Sequence, residues 1–258
     1  MIFSGEISVE LVPRRGDEFH AQCVELKQNF PQIDTINVPD LKRYAMRSWD
    51  ACHQARDFFA RRIPHLRAMD FEIRRPELIE EVAGLFRELL VVQGDPVVGV
   101  ARSEVHDTAS FVAVLRERFP FLKIFVALDP YRASVADELR YLGKKIEAGA
   151  DGFFTQPFFD RDLLGRYSRS LRGIEGYWGL SPVLTERSRS YWERVNGVEF
   201  PKNFETSLAA NQAFARETIE QVHGFGGNIY LMPIKAGLTH YLSGVLYEEV
   251  AAIRRGVG

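Results

Sequence analysis

Short runs of apolar and β-branched residues alternate along the chain with longer stretches whose apolar positions recur at helical spacing. Eight runs fit strands: 7–12, 35–38, 63–68, 89–93, 123–128, 152–156, 177–183 and 228–232. Their near-continuous hydrophobicity suits strands buried on both faces, which implies parallel pairing. Between them, 76–87, 108–119, 134–148, 161–171 and 208–222 carry the spacing of helices. The stretch 134–148 also shows how such a helix ends, with Lys144 and Lys145 placing cations in the last turn and Gly149 following as a cap. No glycine-rich linker or low-complexity tract interrupts the pattern, so one domain over 1–258 is expected.

Eight such alternations in 258 residues suit a closed barrel, which needs about 250 residues, better than an open doubly wound sheet. The fold class is therefore α/β, a single (β/α)8 TIM barrel. A hydrophobic content of 46% supplies its core, and a net charge of -2 gives no field that draws nucleic acid. Two distant cysteines, Cys23 and Cys52, suggest neither a disulfide framework nor a thiolate metal site. The opening residues lack an export signal, and no run reaches the roughly 18 apolar residues of a membrane span. A soluble cytoplasmic protein is expected, without nucleic-acid or membrane partners. Barrels often pair through their outer helices, so a homo-oligomer is compatible with the pattern. No metal-binding histidine cluster, P-loop, serine-hydrolase elbow or dinucleotide Gly-x-Gly-x-x-Gly is present.

In a barrel of this kind, chemistry sits at the C-terminal strand ends, so polar residues there are the first candidates. Glu10 interrupts Ser8-Val9-Glu10-Leu11-Val12-Pro13. Pointing into a barrel mouth, it would be desolvated and suited to donate a proton; pointing outward, it would be an ordinary carboxylate or one held by an arginine. Asp95 follows Gly94, a residue that lets the chain turn sharply beside a ligand. Gln156 ends a strand with an amide that donates and accepts together, or else caps that strand end. His65, in Ile63-Pro64-His65-Leu66, falls within a strand, where a lone histidine is more often structural than catalytic.

Taken in order, these islands resemble the methylenetetrahydrofolate reductase family. Ser8-Val9-Glu10-Leu11-Val12-Pro13 is similar to its S-F-E-F-F-P, Ile63-Pro64-His65-Leu66 to its P-H-L strand, and Gln93-Gly94-Asp95-Pro96 to its R-G-D-x-P turn. Lys144-Lys145-Ile146-Glu147-Ala148-Gly149-Ala150-Asp151, running into Thr155-Gln156-Pro157-Phe158-Phe159-Asp160, resembles K-x-D-A-G-A followed by T-Q-F-F-F-D. Ser181-Pro182-Val183 parallels L-P-V. The resemblance implies an oxidoreductase interconverting 5,10-methylenetetrahydrofolate and 5-methyltetrahydrofolate. Glu10 would be the general acid and Asp95 would face the pterin and the hydride donor. Gln156 would hold the pterin edge, with Phe158 or Phe159 packing nearby. A bound FAD would relay hydride from NADH or NADPH, and the cofactor positions implied are His65, Gly94, Asp95, His106, Arg132, Lys144 and Lys145.

The flavin positions depart most from the family. Leu128-Asp129-Pro130-Tyr131-Arg132-Ala133-Ser134 stands where the family has Y-P-E-x-H-P-E, His106 where it has tyrosine, and Gln93 where it has arginine. These departures keep two alternatives open: a flavin-free reductase with direct hydride transfer, and a folate-binding subunit or methyl-group carrier without redox chemistry of its own.

Overall fold

The computed structural model describes residues 5–71, 76–94 and 107–246. Strands β1 (Ile7–Glu10), β2 (Thr35–Val38), β3 (Arg61–Arg67), β4 (Glu88–Val92), β5 (Lys123–Leu128), β6 (Gly152–Pro157), β7 (Glu175–Leu180) and β8 (Asn228–Leu231) follow one another around a closed barrel. Each neighbouring pair is parallel, and β8 returns to β1 with Tyr230 opposite Ser8, so no sheet edge is left open. The eight apolar runs of the sequence are these eight strands, with some ends shifted by a few residues.

Nine helices lie among the described residues: α1 (Gly16–Asn29), α2 (Ser48–Gln54), α3 (Pro76–Ala83), α4 (Thr108–Arg118), α5 (Val135–Glu147), α6 (Arg161–Ser170), α7 (Glu186–Asn196), α8 (Leu208–Gly224) and α9 (Leu238–Val245). Several begin where a short polar side chain satisfies a free backbone donor: Ser134, Asp160 and Ser207 accept from the N–H groups of Asp137, Asp162 and Ala210. Each barrel helix runs back against its strand, so its last turn lies at the foot of the barrel and the strand-to-helix loops form the mouth.

Strand residues alternate between two cores. Val9, Ile36, Val126, Phe153, Trp178 and Ile229 face the helices. Ile63, Leu90, Phe125, Phe154, Tyr177, Tyr230 and Met232 fill the interior, where Phe154 stacks on Tyr177 with ring centroids 4.2 Å apart. That plug is the floor beneath the mouth. Below it, Arg61 ties the foot together, bonding Glu88 at 2.6 and 2.9 Å and the Tyr177 hydroxyl at 3.1 Å. Helix α7 is an addition between β7 and α8, held over the β5–β7 side of the mouth by a third cluster containing Tyr131, Phe159, Val183, Trp192, Phe200 and Phe204.

Candidate active site

Above the aromatic floor, the inward positions of the first three strands turn polar. Ser8 Oγ donates to Asn37 Oδ1 at 2.6 Å, and Asn37 Nδ2 donates to His65 Nε2 at 3.3 Å. An accepting Nε2 leaves the His65 proton on Nδ1. Burial holds the imidazole neutral, with its pKa pushed down to about 3. His65 is thus an uncharged hydrogen-bond acceptor at neutral pH, without the positive charge that would attract a phosphate.

Glu10 closes β1 at the mouth, and the Tyr230 hydroxyl, inward-facing on β8, donates to its carboxyl. Desolvation lifts the Glu10 pKa from 4.5 to about 7, with the Tyr230 hydrogen bond pulling the other way. Near neutrality the group is poised between acid and carboxylate, as a proton donor needs to be. Tyr230 itself stays protonated, because burial and the adjacent carboxyl push its own ionisation well up.

A cavity of about 250 Å³ opens beside Glu10. The strand-end residues Leu11 and Val12, Arg14, Gln22 and Glu25 line one side, and the loop around 233–238 lines the other. The Gln22 Oε1 is buried with no hydrogen-bond partner. Lys235 in that loop takes a left-handed backbone, φ 56, which is costly for a residue with a Cβ and tends to persist at functional sites.

Across the mouth, Gln156 is exposed at the end of β6, where a β-bulge shifts the register between Phe154 and Pro157. Bulges re-aim side chains beside sites of this kind. Just past β7, Ser181 is buried with its hydroxyl unpartnered. Gly94 has φ 85, a left-handed backbone that favours glycine, and a Cβ there would fall 2.7 Å from Arg67 Nε and 2.9 Å from Met69 Sδ, so a side chain would have to displace both. Gln93 secures the start of α4, its Oε1 accepting from the Thr108 N–H and hydroxyl, each at 3.1 Å. Asp95 and His106 lie outside the described residues.

Other expected contacts are not brought to the mouth. Phe158 is fully buried on the helix side, its ring 5.8 Å from both Tyr167 and Trp178. The bulge in β6 breaks the alternation that would have kept it on the face of Gln156. Lys144 is exposed in the last turn of α5 and therefore stands at the foot. Lys145 is buried, donates to the Ala127 carbonyl and sits 4.3 Å over the Tyr141 ring. Arg132 reaches the rim but turns Nε and Nη2 to the buried Glu138 carboxylate. Asn37 and Tyr230 join the site without having stood out in the sequence, and Ser8 and Ser181, which the sequence showed only as parts of longer motifs, join it too. Period-two alternation marks Asn37 between Ile36 and Val38, and Tyr230 between Ile229 and Leu231, but it does not tell which strands become neighbours.

A closed barrel with a protonatable carboxyl at its mouth defines a class: barrel proteins that handle a ligand at the C-terminal ends of their strands. The family model for methylenetetrahydrofolate reductase matches residues 60–224, and the chain belongs to that family. The matched segment includes His65, Gly94, Asp95 and Gln156 and leaves out Glu10 and Tyr230.

Among solved structures, a Clostridium thermocellum protein described as uncharacterized and binding two copies of 5-methyl-5,6,7,8-tetrahydrofolic acid shares 14% identity, with a TM-score of 0.67 over 99% of this chain and 96% of its own. A putative deoxyribose-phosphate aldolase from Coccidioides immitis follows at 14% identity and TM-score 0.52, covering 97% of this chain and 85% of that one. The 3-dehydroquinate dehydratase from Aquifex aeolicus VF5 gives 12% and 0.51, covering 96% and 98%. These likenesses show the shared barrel fold. A search of curated proteins gave no match.

Proposed function

We propose that this protein interconverts 5,10-methylenetetrahydrofolate and 5-methyltetrahydrofolate, using NADH or NADPH as the hydride donor. The observation that carries this reading is Glu10, an acid with a pKa near 7 at the mouth of a barrel of this family. In the reducing direction, Glu10 gives its proton to N10 of the folate and the bond from N10 to the bridging methylene breaks. The resulting iminium on N5 accepts a hydride at the methylene carbon and becomes the methyl group. One proton and one hydride are consumed for each nicotinamide oxidised. Gln156, exposed at the end of β6, holds the pterin edge, and Asp95 steadies the cation. The folate named for the Clostridium thermocellum neighbour supports this substrate class.

The family also implies a flavin, which when bound relays hydride between nicotinamide and folate. The described residues give it little support, because Lys144 is at the foot, Lys145 is buried, Arg132 is turned to Glu138 and His65 is uncharged. The nicotinamide therefore delivers its hydride directly to the folate. The test is anaerobic NADH- and NADPH-dependent reduction of methylenetetrahydrofolate by purified protein whose visible spectrum is recorded. The expected outcome is turnover without flavin bands, reduced at least about 100-fold in Glu10→Gln while folate binding remains. Turnover that depends on added FAD would overturn direct transfer. Undiminished Glu10→Gln activity would remove the acid role, and folate binding without nicotinamide oxidation would leave a folate-binding subunit.

A further inference from the structure

Between Val183 and Ser207 the chain leaves the barrel wall, builds α7 and returns to start α8. Both ends of this excursion are gripped by one buried side chain, Asn211. Its Oδ1 accepts from the Val183 N–H at 2.9 Å, and its Nδ2 donates to the carbonyl oxygens of Val183 at 3.1 Å, Glu205 at 3.0 Å and Ser207 at 2.8 Å. Beyond that grip, the polar contacts of 184–204 stay within the excursion. Thr185 caps the Ser188 N–H, Arg189 pairs with Glu193 at 3.2 Å, and the Val198 N–H donates to the Trp192 carbonyl at 3.2 Å. Among the described residues, no hydrogen bond or ion pair joins 184–204 to the barrel. What holds the segment down is aromatic: the Phe159 ring, in the loop after β6, lies 5.2 Å from Trp192, 4.9 Å from Phe200 and 6.1 Å from Phe204. The Lys235 ammonium adds a cation–π contact 6.0 Å from the Tyr191 ring. Helix α7 itself has no buried residue. Directional bonds at two adjacent ends and non-directional contacts along the span are the makings of a hinge and a latch.

We propose that residues 184–204 form a lid on the mouth, hinged at Asn211 and latched on Phe159, which opens to admit the folate and closes over it. That the ligand is a folate rests on the function proposed above. The latch residue follows Gln156 by three positions in the same strand-to-helix connection, so the lid closes against the segment that carries the pterin contact. Closure serves direct hydride transfer, because the iminium formed when the N10 bond breaks is open to attack by water until the hydride reaches it. Opening breaks only apolar and cation–π contacts, whereas the Asn211 bonds and the barrel behind them stay intact.

The experiment is amide hydrogen exchange read by mass spectrometry on the wild-type protein and Phe200→Ala, each with and without saturating 5-methyltetrahydrofolate. In the free wild-type protein, the amides of α7 are expected to exchange at least about tenfold faster than those of α6 and α8. Bound folate should slow α7 by about tenfold or more, with α6 and α8 little changed. Phe200→Ala trims the latch without entering the barrel interior. It should speed α7 exchange by about tenfold and the dissociation of folate, followed by stopped flow, by roughly threefold or more. Exchange of α7 no faster than that of α6, exchange unmoved by bound folate, or wild-type folate dissociation from a folded Phe200→Ala protein would each overturn the lid. Should Phe200→Ala not fold, the wild-type exchange with and without folate decides alone. A rigid α7 in a protein that binds and turns over folate removes the lid and leaves the proposed function standing. A wild-type protein that binds no folate overturns the proposed function, and the folate lid with it.

Discussion

The charge state of Glu10 is decided by two opposing neighbours, apolar burial and one phenol. Burial disfavours the carboxylate, whereas the Tyr230 hydroxyl stabilises it by donating a hydrogen bond. A Tyr230→Phe protein keeps the burial and loses the donor, so the Glu10 pKa should rise further. With Glu10 as the proton donor, activity is present below its pKa and lost as pH rises through it. The alkaline limb of the kcat/KM profile should therefore move upward in Tyr230→Phe; a limb that stays in place or moves down would separate Tyr230 from the acid. Glu10 was legible in the sequence because a carboxylate interrupts an apolar run. Tyr230 was not, because its partner is 220 positions away and they meet only when β8 closes on β1.

At the scale of elements, the strands were legible because burial on both faces leaves a continuous apolar signature. The short α2 and the appended α7, which has no buried residue, carry a weaker one. The failure at Phe158 is instructive, since a single bulge in β6 inverts the facing of everything beyond it. That strand end depends on a neighbouring glycine. A Cβ on Gly179 of β7 would fall 2.5 Å from the Thr155 carbonyl oxygen, 2.7 Å from Met232 Cε and 3.0 Å from the Gln156 carbonyl oxygen. Gly179→Ala should displace the end of β6, costing about 2 kcal/mol or more in stability and weakening folate binding through Gln156. A Cβ on Gly143, inside α5, would meet nothing within 4 Å. Gly143→Ala should stabilise the protein by about 1 kcal/mol, the usual cost of glycine within a helix, and leave folate affinity unchanged. Denaturation midpoints and folate titrations on both proteins check the pair, and equal behaviour would remove the assigned role of the β6 end.

The molecule as a whole reveals what no single run of sequence shows: one polar mouth assembled from β1, β2, β3, β6, β7 and β8 over an aromatic floor. The sequence offered Glu10 and Gln156 one at a time, as polar residues at strand ends, and barrel closure brings their strands into one ring with those of Tyr230 and Ser181. Desolvating the half-buried Glu10 and the buried His65 has a consequence for global stability. Glu10 keeps its proton in the folded state up to about pH 7 but releases it near 4.5 when exposed, so between those values stability falls as pH rises. His65 refuses a proton until about pH 3 but takes one near 6.5 when exposed, so between those values stability falls as pH falls. Each slope is about 1.4 kcal/mol per pH unit, and between pH 4.5 and 6.5 they run in opposite directions and offset each other. Relative to wild type, Glu10→Gln should therefore gain stability steadily from pH 4.5 to 7, and His65→Gln should gain it from pH 6.5 downward, apart from a pH-independent loss of the Asn37 contact. Urea unfolding of the three proteins across this range measures both slopes. Stability differences that do not vary with pH would mean that neither group is held away from its solution pKa by the barrel interior.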